Sequence, residues 1–296
     1  MLSAALDANT LEQLKQGRHN EFLAHIQLTT ASGAGQWLHT VPSPALRKHI
    51  SAPLYRTSIQ RWLRAPIFDA EFACSFCGDT VDIYGDHCLV CSCGGDRTKR
   101  HNLLRNQVHF FAASAGLNPE LERPGLLQPR PSIGAGLENG APQGLNNDRR
   151  PADVYLPRFR QGLPAALDFA VTSGLRRDMV NQSAQNGASA TQAYEDFKRN
   201  YLGTESACEA EGVRFIPVVV EAHGGGWGHQ AHKLWNELAK RKSAITGELE
   251  SIVACQLLQS LSVILHRENA RAILRRWPRP ANADLVMLTA AVVANC

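Results

Sequence analysis

Five of the chain's eight cysteines fall between Cys74 and Cys93, in CSFCGDTVDIYGDHCLVCSC. Cys74 and Cys77 form a C-x-x-C pair, and His87 with Cys91 follows ten residues later, so four soft or borderline donors can close a tetrahedron around zinc. The three-residue gap from His87 to Cys91 turns both side chains inward. Cys88 adjoins His87 and points away, although Cys88 and Cys93 stay open as competing ligands. A catalytic zinc keeps a free position, so a complete set of four donors predicts a structural ion.

A second group is acidic. Asp153 in RRPADVYLP and Asp168 in AALDFAVTS lie on consecutive predicted strands, and RFRQGLP between them is short enough for a hairpin. Two carboxylates brought together in this way suit a hard cation such as Mg²⁺. A charge set among apolar strand residues is costly unless it is paired or metal-bound, which favours a functional role. Lys198, in Tyr194-x-x-x-Lys198-x-x-Tyr201, can hold an attacking water or steady the charge that develops on a phosphate. Glu221 closes VVVE and is either a further acidic ligand or a strand-end residue.

The third group is basic. GGDRTKRHNLLRN gathers Arg97, Lys99, Arg100, His101 and Arg105 at the start of a helix, where such groups contact nucleic-acid phosphates or simply form a solvated face. The glycines of AHGGGWG lack the Lys-Ser/Thr of a P-loop and read as a tight turn that lets another backbone approach.

The elements that must position these groups form a mixed α/β order. Residues 1–70 read as a helical support region, with helical spacing in LEQLKQGRHNEFLAHI and SIQRWLRAPIF. Residues 71–98 are the zinc knuckle. Within 99–240, KRHNLLRNQVHFFAASA places Leu103, Leu104, Val108 and Phe111 on one face of a helix that Gly116 ends, leaving the other face basic. A glycine- and proline-rich stretch over 124–150 predicts a long mobile loop. Two strands, the helix TQAYEDFKRNYL and the β-branched run RFIPVVVEA follow, and the last reads as a central strand. Beyond it, two amphipathic helices span HQAHKLWNELAKRKSAI and GELESIVACQLLQSLSVILHRENARAILRRW, with a break expected near His266 and residues 241–296 forming a C-terminal helical segment.

With 44% hydrophobic and 20% charged residues over 296 positions, disorder along most of the chain is excluded. A net charge of +4 permits a polyanion partner without demanding one. Clustered rather than dispersed cysteines point to metal in a reducing compartment. The opening MLSAALDANTLEQLKQGRH has no signal-peptide pattern, and SIVACQLLQSLSVIL and DLVMLTAAVVANC are too short or too polar to span a bilayer, so a soluble intracellular protein without a membrane partner is expected.

Taken in order, C-x-x-C, GDH-x-x-x-C, GG-x-R-x-x-RHN, RPADV, LDFAVTS and Tyr-x-x-x-Lys-x-x-Tyr resemble the C-terminal zinc knuckle and restriction-like endonuclease of site-specific non-LTR retrotransposons, over residues 70 to 230. That group is a branch of the PD-(D/E)xK superfamily and is similar to archaeal Holliday-junction resolvases. SGAGQWLHTVP and QRWLRAPIF are similar to segments that precede the knuckle in reverse-transcriptase-derived chains of protist genomes. The resemblance implies a restriction-endonuclease-like mixed sheet flanked by helices, and a Mg²⁺-dependent endonuclease in which Mn²⁺ can substitute. It implies duplex or branched DNA as substrate, element RNA or a reverse transcriptase as partner, and the nucleus as location. The family's proline-aspartate motif falls on Pro151, Ala152 and Asp153, its second acid on Asp168, its displaced lysine on Lys198, and its arginine-histidine motif on Arg100 and His101. Two departures stand out: Ala152 separates proline from aspartate, and Ala170 occupies the usual lysine position, so activity requires Lys198 to act from the helix. No Tyr-x-Asp-Asp string of a reverse transcriptase occurs. The alternatives are an inactive zinc-knuckle remnant that binds nucleic acid, or a metal-stabilised protein-interaction domain.

Overall fold

A positive φ of 67° at Gly17 divides the first apolar stretch into two helices, α1 (Leu2–Lys15) and α2 (Asn20–Thr29). The computed structural model describes residues 2–128, 130–131, 145–146 and 151–277. After α3 (Ala52–Trp62), the cysteine segment contributes only the antiparallel pair β1 (Phe72–Ala73) and β2 (Thr80–Val81) and the short α4 (Asp86–Val90). Helix α5 (Asp96–Ser114) buries Leu104, Val108 and Phe111, as its spacing predicts, and Gly116 follows its end with a φ of 74°.

The main sheet has the order β3-β6-β7-β8, formed by β3 (Glu120–Leu121), β6 (Val154–Arg160), β7 (Leu163–Thr172) and β8 (Arg214–Glu221). Its β3–β6 and β6–β7 pairs are antiparallel and β7–β8 is parallel, giving the mixed sheet expected from the sequence. Between β3 and β6, β4 (Arg130–Pro131) pairs with β5 (Leu145–Asn146), and Leu127 packs with Ala152, Tyr155 and Phe215. Most of the stretch expected to be a mobile loop lies outside the described residues.

Gln161 and Gly162, with φ of 52° and 79°, make a two-residue turn, so RFR and LP extend the strands instead of forming a longer connection. Three residues of β6, Pro157, Arg158 and Phe159, then face Pro164 alone, because the register shifts between Leu156↔Ala165 and Arg160↔Leu163. This bulge moves the pairing by two residues. An unbulged hairpin would carry Asp153 towards Ala170, whereas the observed Val154↔Leu167 pair leaves it next to Asp168.

β8 is the last strand of this sheet, not a central one. Pro217 lacks the N–H that a strand paired on both sides needs, and that was a signal against the central reading. Its hydrophobicity has another cause. Ile216, Val218 and Val220 pack on Leu234 and Leu238 of α9 (His229–Thr246), while Phe215 on the other face packs near Cys208 of α8 (Thr204–Ala210). Helices α6 (Val180–Gln185), α7 (Ser189–Asn200) and α8 make the crossover between the parallel strands.

Helix α10 (Glu250–Leu274) runs unbroken through His266, where a break was expected. The His266 ring is buried and stacks on Trp37 with centroids 4.9 Å apart, so packing replaces the interruption that its polarity suggests. Leu257, Leu261 and Leu265 share one cluster with Leu104, Leu167 and Val218, while Ile273 reaches the cysteine segment at Val81 and Leu89. Residues 241–277 thus complete the same core as the sheet, and the rest of the expected C-terminal helical segment, 278–296, lies outside the described residues. No helix among the described residues is long and apolar enough to cross a membrane.

Burial, aided by the nearby Arg61 charge, pulls the His266 pKa down to about 3. The folded chain therefore keeps this ring neutral, while the unfolded chain protonates it below about pH 6.5. Its contribution is complete above pH 6.5 and falls as the pH drops towards 3, by about 1.4 kcal/mol per unit. Urea unfolding should show about 2 kcal/mol lost from this residue between pH 7 and pH 5, and His266→Gln should remove that part of the slope. Equal slopes for the two proteins would contradict the assignment.

Candidate metal centre and acidic pocket

The cysteine segment has too little regular structure to order itself, and polar contacts fix its loop. Asp82 accepts backbone N–H bonds from Tyr84 (2.9 Å), Asp86 (3.1 Å) and His87 (2.9 Å), which sets the start of α4 and the direction of His87. Asp86 is held by Arg61 and Arg64, each at 2.7 Å, tying the knuckle to α3 and the turn after it. Around this frame the donor atoms of Cys74, Cys77, His87 and Cys91 all lie within 4.8 Å of one another. Cys77 Sγ and His87 Nε2 are 3.2 Å apart, near the roughly 3.5 Å separation of two donors on one tetrahedral zinc. Burial raises the Cys74 pKa, but the backbone N–H groups of Phe76 and Cys77 and the His87 ring outweigh it and hold the thiol at about 6. For Cys77 the Asp79 N–H lowers the pKa, but burial and the contacts with Cys91 and Cys74 outweigh it and push the thiol up to about 12, so without a metal the pair shares one thiolate, on Cys74. Burial pushes Cys88 up to about 12 and keeps it a thiol, and neither Cys88 nor Cys93 belongs to the cluster. This Cys3His group fits a metal such as zinc.

The acidic pair is built by the hairpin. Asp153 immediately precedes β6, whose first pair is Val154↔Leu167, and so lies beside Asp168, the next residue of β7, close enough for its charge to act on that carboxyl. Its backbone N–H donates to the Leu167 carbonyl at 2.8 Å, and the Phe169 N–H donates to Asp153 Oδ2 at 2.6 Å. His101 Nε2 from α5 lies 3.1 Å from Asp153 Oδ1, and Lys198 Nζ from α7 is 2.9 Å from Asp168. The hairpin and both flanking helices thus converge on two carboxylates.

Their electrostatics differ. Burial raises the Asp153 pKa, but the His101 ring and the Phe169 N–H prevail and hold it below the usual carboxylate range. For Asp168 burial wins over Lys198 and pushes the carboxyl up to about 6. Burial depresses Lys198, yet the adjacent Asp168 raises it overall and keeps the ammonium charged. A cation beside Asp168 therefore relieves a real electrostatic cost. His101 and Lys198 open onto a pocket of about 400 Å³, which Arg97, Phe169, Ala170 and Tyr194 also line. Ala170 leaves room at this wall, and Lys198 reaches in from the helix.

Two of the five basic residues are not free to hold phosphate. Arg100 lies one turn before Leu104 on the core stripe of α5, where it is buried and donates to Asn269 Oδ1 (2.6 Å) and the Leu89 carbonyl (3.1 Å). Arg105 is buried and paired with Glu122. Arg97 and Lys99 are less buried, and His101 is engaged by Asp153. Arg100→Ala should therefore cost about 2–3 kcal/mol of folding stability, by stranding two buried acceptors. A salt titration of DNA binding should give the same slope for this variant as for the parent. A shallower slope with unchanged stability would restore a phosphate-contact role.

Glu221 is also corrected, from a possible magnesium ligand to a strand-end anchor. It pairs with Thr172, four residues beyond Asp168 on β7, which is about 13 Å along the strand. Its buried carboxylate accepts N–H bonds from Gly174 (3.0 Å), His223 (2.8 Å) and Gly224 (2.6 Å). Burial raises its pKa against the pull of these donors. The turn it anchors passes the Leu28 carbonyl so closely that a Cβ on Gly224 would collide with it, as the glycine run predicts.

Three structural groups gave weaker sequence signals. Asp96, just before the basic run, is buried and ion-paired with Arg271 (3.1 Å), Arg275 (2.6 Å) and Arg276 (2.7 Å). His25 and His223 meet at 2.8 Å across 198 residues of sequence, which no local pattern announces. Asp82 is recognisable only as a turn aspartate two residues before Tyr84-Gly85. No protein-family model matches this chain, and no curated protein matches it.

Proposed function

We propose that the chain is a zinc-stabilised, Mg²⁺-dependent DNA endonuclease with a restriction-endonuclease-like core. The observation that carries this reading is the convergence of Asp153 and Asp168 at the start of the hairpin, with a histidine and a lysine at hydrogen-bond distance beside a cationic pocket. Two carboxylates are a hard-oxygen donor set, and the charged lysine already on Asp168 marks a place where positive charge is stabilised. Magnesium held there would supply a water of lowered pKa and a positive charge towards the scissile phosphate. Asp153, oriented by His101 and the Phe169 N–H, keeps its charge at low pH. Lys198 offers an ammonium to orient the attacking water and to stabilise charge building on the phosphate. Arg97, exposed at the pocket wall, attracts the strand. The Cys3His knuckle, packed against Ile273, holds the start of α5 in place as a structural zinc site.

A second reading also has a specific support. His101 and Lys198 satisfy both carboxylates without a metal, so the same fold is stable as a non-catalytic DNA-binding module. The two are separated by incubating zinc-loaded protein with supercoiled plasmid, with Mg²⁺ added or omitted. Nicking that requires Mg²⁺ supports hydrolysis. Salt-sensitive binding without nicking supports the binding module.

A further inference from the structure

Helix α7 and the turn after it carry an aromatic stripe that packing leaves uncovered. Tyr194, Phe197 and Tyr201 recur at steps of three and four residues, the spacing of one helix face. Their rings form a ladder, with centroids 5.5 Å apart from Tyr194 to Phe197 and 5.3 Å from Phe197 to Tyr201. A stripe of this kind ordinarily faces a core. Here the buried side of α7 is Ala190, Thr191 and Glu195, while Phe197 and Tyr201 are 52% and 54% exposed. The ladder is continuous with the cationic pocket beside the two carboxylates, because Tyr194 and Lys198 both line it together with Arg97 and His101.

We infer that this ladder is a stacking platform for unpaired bases beside the scissile phosphate, so that the substrate is DNA with a single-stranded flap or branch rather than uninterrupted duplex. The inference rests on the nuclease reading and names its substrate class. Bases within a duplex stack on each other and offer only their edges, which gives exposed ring faces nothing to bind. Unpaired bases expose π-faces that aromatic side chains hold with little regard to sequence. Charge favours a polyanion over an apolar protein surface. Arg97 is exposed at the pocket, and Arg199, at 3.0 and 3.4 Å, offsets one of the two acidic charges of Asp196 and Glu205 beside the ladder.

The test is equilibrium binding by the full zinc-loaded chain with Mg²⁺ omitted, so that affinity is read without cleavage. The probes are a blunt duplex and the same duplex with a single-stranded flap containing 2-aminopurine. The flap should bind about tenfold more tightly and its 2-aminopurine fluorescence should be quenched, as one stacked base provides. Phe197→Ala should remove that preference and leave duplex affinity unchanged. Phe197→Leu should lose as much, since leucine keeps apolar area but has no ring face, and unchanged thermal melting of both variants shows that they fold. Equal affinity of the parent protein for both probes, with Mg²⁺-dependent plasmid nicking intact, would overturn the platform and spare the nuclease. Full flap preference in Phe197→Leu would also overturn it and favour an apolar protein partner. Absence of binding to either DNA would overturn the platform together with the nuclease reading.

Discussion

Cys91→Ser is expected to release the metal from its four-residue site and unfold the segment around it. Two-residue strands and a five-residue helix cannot sustain themselves, so the donor set must close this part of the chain. Structural zinc contributes about 10–16 kcal/mol in small zinc-binding peptides, comparable to the whole stability of a typical domain. Without it Val81, Cys88 and Leu89 lose their enclosure beside Ile67, Phe68 and Ile273. The damage reaches the site, because Ala222 belongs to the same cluster and its N–H donates to the Thr172 carbonyl at the end of β7. Metal analysis should find one zinc in the parent protein and none in the variant. Hydrogen exchange should lose protection across residues 72–93 and at the end of β7. A variant that keeps its zinc or its protection would show that Cys91 is not a ligand.

On the proposed nuclease reading, Asp168→Asn is expected to lower Mg²⁺-dependent cleavage by about 10³-fold, since it would remove a magnesium-binding charge with almost no change of shape. Stability should fall too, because Asn leaves the largely buried Lys198 ammonium without its partner, although burial, which pushes the Asp168 carboxyl up to about 6, makes the lost charge a costly one. Lys198→Ala should cut the rate by about 10²-fold or more, as expected when a positioned proton-handling group is lost. It also strands Asp168 without its partner, so DNA affinity and melting temperature must be followed beside the rate. Cleavage by Asp168→Asn at the parental rate would remove the acidic pair from the chemistry.

The candidate cysteine ligands were legible because metal geometry imposes a local spacing on the chain, with His87 in the first turn of α4 and Cys91 capping its end. Asp153 and Asp168 were legible as an acidic pair on a hairpin, but only Asp168 lies within a strand, and their approach depends on the bulge at Pro157–Phe159, since spacing alone would have carried Asp153 towards Ala170. The burial of Arg100 and Arg105 was not legible from charge, because helical phase decides it: Arg100 lies one turn from Leu104 on the core stripe. Glu221 was ambiguous because three backbone donors from a turn, unseen in sequence, satisfy its charge. Pairings over long separations, such as His25 with His223 and Asp96 with Arg276, depend on tertiary packing and leave no local pattern.

The most direct test of the acidic pair as a phosphodiesterase centre is the initial rate of cleavage of labelled supercoiled plasmid and four-way junction by zinc-loaded parent, Asp153→Asn and Asp168→Asn proteins. Magnesium should be omitted rather than chelated in the control, so that the knuckle keeps its own metal. The account predicts cleavage by the parent only when Mg²⁺ is present, with both variants binding DNA but nearly inactive. Salt-sensitive binding by all three proteins with no cleavage by any, or equal cleavage by all three, would contradict it.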